Sequence, residues 1–268
     1  MKAPIASQPA TVEIAPVVTG SRRRVKHWFY ISAALFLILL NVVGFGPSII
    51  DPSRRNAPFS PLAMAHGMVA AAWLLLLLAQ VTLVATRRTA IHRRLGTFAP
   101  ALVIAMVVLG YIALIGLARR GHDLSGDVLR AVSRSGRPLK PAGLLFPLAE
   151  LLEFGVLVGS GLWYRHRPEI HKRLMLLAVV PMATEPILHL VGHLSAHWPI
   201  LRGTWPALSL PITLLLLAAS AIYDRVSRGR IHPVSLLVPI LLLAWRIVLV
   251  SVVLPSTAWR TIAEWLIA

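Results

Sequence analysis

Long apolar runs alternate with short, arginine-rich polar connections along almost the whole chain. Runs long enough to cross ~30 Å of hydrocarbon lie at about 27–50, 63–86, 97–118, 142–163, 174–195, 207–223 and 234–255. The sixth is short and carries Pro211. Residues 1–24 are polar and proline-containing and read as a disordered cytoplasmic arm. Arg22, Arg23, Arg24 and Lys26 then precede a run too long for a signal-peptide core, without a small-residue cleavage site, which reads as a retained signal anchor. The pattern predicts an all-α polytopic membrane protein, a seven-transmembrane-helix bundle over residues 25–256. Residues 257–268, with Trp259 and Trp265, predict an interfacial C-terminal segment.

Charge sets the expected orientation. Connections on the N-terminal side of the bundle (the arm, 87–94, 164–173 and 224–231) carry 16 Lys/Arg, and those on the other side carry 10. That asymmetry places the N-terminus in the cytoplasm of a bacterial inner membrane. The 119–141 loop dissents, with six Lys/Arg against two Asp, but longer loops weigh less in the rule. The formal net charge of +17 therefore reflects lipid topology, with anionic headgroups as partners, and gives no case for nucleic acid. With 57% hydrophobic and 14% charged residues the composition is that of a membrane protein. The absence of cysteine excludes disulfides, thiolate iron–sulfur sites and C-x-x-C-H haem attachment.

Against this apolar background Glu185, His189, His193 and His197 recur every fourth residue, on one helical face. Ionisable groups in hydrocarbon are costly and mark sites or pairs. Counting residues from the inner end of each span sorts them by depth. Glu185, His189 and His193 lie about 11, 15 and 19 residues up the fifth span; His66 lies about 20 up the second. Glu150 and Glu153 lie about 13 and 10 up the fourth, and Arg246 about 12 up the seventh. Arg246, Glu153, Glu185 and Glu150 thus predict a structural ion-paired layer near the midplane. His66, His189 and His193 form an outer level, whose spacing suits zinc or iron, with Glu185 below, or haem held between facing histidines. The plainer reading has these histidines hydrogen-bonded to neighbouring helices.

A weak repeat relates Arg87-Arg88 and His92-Arg93-Arg94-Leu95 to Arg165-His166-Arg167 and His171-Lys172-Arg173-Leu174. Shorter echoes are Arg24-Val25-Lys26-His27 and Arg228-Gly229-Arg230-Ile231-His232-Pro233. All four histidines fall where an odd-numbered span leaves the cytoplasm, a depth at which basic side chains grip headgroups or frame a cofactor or anion site.

His66-Gly67, Trp73, Gln80 and His92-Arg93-Arg94-Leu95-Gly96, with His171-Lys172-Arg173-Leu174-Met175, form an HG…W…HRxLG and HKRLM pattern. With it the chain resembles a widespread group of uncharacterised seven-span bacterial inner-membrane proteins. It is more distantly similar to the transmembrane dihaem cytochromes b. That likeness implies haem b in an electron-transfer role, one haem between His66 and His189 or His193 and another between His92 and His171. The fourth span departs from it, offering Glu150 and Glu153 but no histidine. An H-x-x-x-H on one span also resembles the seven-span receptor and alkaline ceramidase superfamily, in which the pair lies in the last helix. Three functions follow as expectations: a haem-b redox protein, a zinc- or iron-dependent membrane hydrolase, and a non-catalytic, lipid-interacting accessory bundle.

Overall fold

The computed structural model describes residues 20–54, 59–120, 144–198, 200 and 205–268, with the side chains of 20–27, 54, 117, 120, 196 and 205–210 outside that description. Most of the N-terminal arm and of the 119–141 loop therefore lie outside the described residues. Every regular element among the described residues is helical. We number the helices α1 (Gly20–Ile50), α2 (Pro61–Ala85), α3 (Thr89–Gly96), α4 (Ala99–Arg120) and α5 (Leu145–Trp163). There follow α6 (Pro168–Leu177), α7 (Val179–His197), α8 (Trp205–Arg228), α9 (Pro233–Val248) and α10 (Thr257–Ile267).

Local chemistry explains the boundaries. Proline opens α2, α6 and α9, where its missing N–H costs nothing and its fixed φ suits the first turn. Ser60 and Ser256 cap α2 and α10 by accepting from the amides of Ala63 at 3.1 Å and Trp259 at 3.2 Å. Gly229, at φ 73°, makes the tight turn between α8 and α9.

Among the described residues, six stretches are long and apolar enough to cross a membrane: Trp28–Ile50, Pro61–Ala85, Ala99–Gly116, Leu145–His166, Pro168–Ser195 and Pro233–Val253. They match the expected first to fifth and seventh runs. The expected sixth, 207–223, falls within α8, whose first residues have side chains outside the described ones, and it is not among these six. The fifth candidate span is two helices, α6 and α7, meeting at Ala178.

Each helix packs on its neighbours in a closed succession, α1 on α2 and α7, α2 on α4, α4 on α5, and α5 on α6 and α7. The α6–α7 span is the most enclosed of the six. Leu37, Trp73, Val158, Leu174, Ala183 and Ile187 lie in the shared core, where the Trp73 ring meets Phe154 edge-on at 5.3 Å. Leu39, Leu75, Ile104 and Leu241 are exposed on the outside. An apolar skin of this kind is stable only against lipid or another apolar surface. The protein is an integral, multi-pass membrane protein by this measure. At the α1–α7 crossing a Cβ on Gly44 would lie 2.5 Å from the Pro186 carbonyl oxygen and 2.9 Å from its Cα. Only glycine permits that approach. Helix α10 lays Trp259 and Ala263 against Leu114 and Leu249, and leaves Trp265 exposed.

Candidate functional site: three polar layers in an apolar bundle

The two halves of the sequence repeat are structural equivalents. Each is a span followed by a tight turn and a short helix: α2 runs into α3 and α5 into α6. In the first turn Arg87 takes a φ of 63°. The short helices bring His92 and His171 together edge-on, ring centroids 6.4 Å apart and planes at 80°. His171 donates from Nδ1 to the Gly161 carbonyl at 2.7 Å. His92 donates to the Gln80 carbonyl, and its buried Nδ1 has no hydrogen-bond partner among the described residues. Burial pushes the His92 imidazole below its ordinary pKa, and the neighbouring His171 and Arg93 add to the shift. That shift favours the neutral form of His92, the form in which an imidazole ligates metals. Around the pair Arg87, Arg88, Arg93, Arg94, Arg165 and Arg167 are exposed.

Beside the histidine pair sits a buried charge network. Arg173 and Asp224 are both 0% exposed. Arg173 donates from Nε to Asp224 Oδ2 at 2.9 Å and from Nη2 to Oδ1. Ser235 donates to the same Oδ2 at 2.6 Å, as does the His232 amide at 3.1 Å. Ser220 hydrogen-bonds Ser235 at 2.8 Å. Glu169 closes the far side, accepting from Arg173 Nη1 at 2.7 Å, from Lys172 at 2.9 Å and from Arg228. Burial would raise the Asp224 carboxyl, but the donors from Arg173, Ser235 and the His232 amide outweigh it and hold the group below its usual range. The His232 ring is lowered by burial and then by the Arg173 charge. Its Nδ1 accepts from the Val234 amide at 3.2 Å and so caps α9.

Asp224, Arg173, Glu169 and Ser235 were not singled out as site residues by the sequence reading. Arg173 had been grouped with cations that grip headgroups, and full burial takes it out of that role. The signal lay in the motifs themselves: Arg173 is inside HKRLM, and Asp224 is the acidic residue ending an apolar run.

In the middle layer Arg246 of α9 reaches two carboxylates of α5, Glu150 at 3.2 Å and Glu153 at 2.8 Å. Glu185 of α7 lies within electrostatic range of Glu150, and the Thr184 hydroxyl hydrogen-bonds to Glu150. Directly after α9 the chain takes a π-helical turn, Leu249–Val253.

In the third layer the His189 and His193 rings lie together, centroids 6.5 Å apart. His193 donates from Nε2 to the Gly44 carbonyl of α1 at 3.0 Å. Phe45, also on α1, covers the His189 ring at 4.5 Å. His66 instead lies against Gly110 of α4, and its buried Nδ1 has no hydrogen-bond partner among the described residues. Among the described residues no group of three His, Asp or Glu side chains is placed to hold a metal ion. The described residues do not bring together the zinc or iron set expected on His66, His189, His193 and Glu185: His189 and His193 both face α1, His66 lies against α4, and Glu185 lies near Glu150 in the middle layer. His197 ends α7 and is exposed.

No protein-family model, no curated protein and no solved structure matches the chain.

Proposed function

We propose that this integral membrane protein binds haem b between His92 and His171 and serves one-electron transfer in a bacterial inner membrane, its N-terminus in the cytoplasm. The observation that carries the reading is the histidine pair itself, with rings 6.4 Å apart. The His171 Nδ1–H bond to the Gly161 carbonyl is the outer-shell contact that fixes tautomer and ring orientation in histidine ligands. The donor set fits the group: two imidazoles, each with one ring nitrogen committed to a backbone carbonyl and the other left for a ligand bond. When bound, haem supplies reversible one-electron chemistry. The chain's own part is to orient the two rings and to place Arg93 beside them, whose charge complements an anionic edge.

An absorbance spectrum of detergent-purified protein from haem-replete cells tests this. A Soret band at one haem per chain is the expected result, and its absence sinks the reading. A second reading has its own support in the exposed arginines of the α2–α3 and α5–α6 turns: an accessory bundle that grips anionic headgroups. It predicts no bound chromophore, and vesicle binding that scales with anionic lipid.

A further inference from the structure

The middle layer holds more acid than base. Glu150 and Glu153, three residues apart on one face of α5, both turn to the single guanidinium of Arg246. Glu153 is 7% exposed. Its Oε2 takes the Arg246 bond, and its buried Oε1 has no hydrogen-bond partner among the described residues. One guanidinium neutralises one carboxylate. A second ionised carboxylate in apolar surroundings is strongly disfavoured, and a buried carboxylate oxygen without a donor adds to the cost. A divalent cation is a poor fit, because three acidic or histidine ligands do not converge here or elsewhere among the described residues. A proton is the remaining cation that two oxygens can hold. The π-turn that begins three residues after Arg246 is a distortion often found at functional sites.

We propose that Glu150, Glu153 and Arg246 form a single-proton binding site inside the membrane, with the free Oε1 of Glu153 as the point where the proton enters and leaves. Uptake forms one O–H bond on one carboxylate oxygen; no other bond changes and no electron moves. The protonated triad of Glu150, Glu153 and Arg246 is neutral, two carboxyl groups sharing one negative charge against one guanidinium; the deprotonated triad carries one net negative charge, and the nearby Glu185 carboxyl opposes that second charge. That difference gives the bundle two electrostatic states separated by one proton, the means by which buried carboxylates couple proton movement to other steps in membrane proteins. The site uses none of the residues of the haem reading and stands or falls separately.

Infrared spectroscopy of the full chain in detergent, titrated from about pH 9 to about pH 5, reads the proton directly. A neutral-carboxyl C=O band at pH 7 that shifts in D2O is expected. Glu150→Gln and Glu153→Gln should each abolish it, because the remaining carboxylate ionises against Arg246. Arg246→Gln should roughly double it, and Glu185→Gln should leave it in place. If the Gln variants fail to fold, the wild-type titration still decides. No neutral-carboxyl band anywhere in that range overturns the proposal. So does a band that survives both α5 substitutions, or one that appears only when sodium is replaced by an organic cation.

Discussion

Arg173 and Asp224 lie 51 residues apart in sequence and face each other as a fully buried ion pair that joins α6 to α8. Removing one member of a buried pair strands the other, at a cost of about 3–5 kcal/mol. Asp224→Ala should therefore lower the unfolding temperature sharply in a tryptophan-fluorescence melt. Ser235 and Glu169 also contact Arg173, so the loss should sit near the lower end of that range. Replacing both members by apolar residues, Arg173→Met with Asp224→Leu, should recover most of it, since a buried pair often stabilises no more than packed hydrocarbon. A double variant as unstable as the single one would count against this account.

Acid should destabilise the protein in two separate steps. The Asp224 carboxyl is held below its ordinary value, so its contribution is complete above about pH 3.9 and fades only as pH falls through the lower folded value. The His92 and His232 rings are also lowered. For them the unfolded chain takes up protons first, so stability declines as pH drops below about 6.5. Protonated His232 also loses the acceptor that caps α9. The decline between pH 7 and pH 5 should flatten in His92→Gln and in His232→Asn, which keeps a capping oxygen. A pH profile unmoved by either change would remove the histidines as its cause.

The membrane-spanning character was legible because apolar run length is a one-dimensional property. Six runs coincide with candidate spans to within a few residues, except that the fifth begins earlier, at Pro168. Depth is also one-dimensional. It sets Arg246 level with Glu150 and Glu153, and in the folded chain these side chains meet. The same arithmetic sets His66 level with His193, yet one faces α4 and the other α1. Azimuth decides that, and azimuth depends on which helices pack together. The Arg173–Asp224 pair was hidden for a related reason. Counting loop charges for orientation treats each one as solvated, and only the packing of α6 against α8 shows that these two are not.

The α1–α7 crossing should be intolerant of any side chain at Gly44. The atoms that a Cβ would meet belong to the Pro186 backbone, at 2.5 and 2.9 Å, and backbone cannot swing aside as a flexible side chain can. Gly44→Ala should cost about 1–3 kcal/mol in the same fluorescence melt. Gly192, on α7 with open space around it, is the control. Gly192→Ala should be neutral or stabilising by up to about 1 kcal/mol, through helix propensity alone. Equal effects at the two sites would show that the close approach is not what matters.

Substitution of each histidine in turn should separate the two polar ends of the bundle. His92 and His171 lie together edge-on, whereas His66, His189 and His193 are turned to Gly110, Phe45 and Gly44. Under the haem reading, His92→Ala and His171→Ala should each cut haem per chain by at least about tenfold, the upper range seen even for outer-shell changes at metal sites being comparable. His66→Ala, His189→Ala and His193→Ala should leave the Soret band in place, though His193→Ala should lower the melting temperature because it releases the Gly44 carbonyl. Haem content measured by pyridine haemochrome, alongside the melt, distinguishes lost binding from lost fold. Retention of haem in both His92→Ala and His171→Ala, with loss in His66→Ala, would move the cofactor to the opposite end of the bundle and require α2 and α7 to approach there.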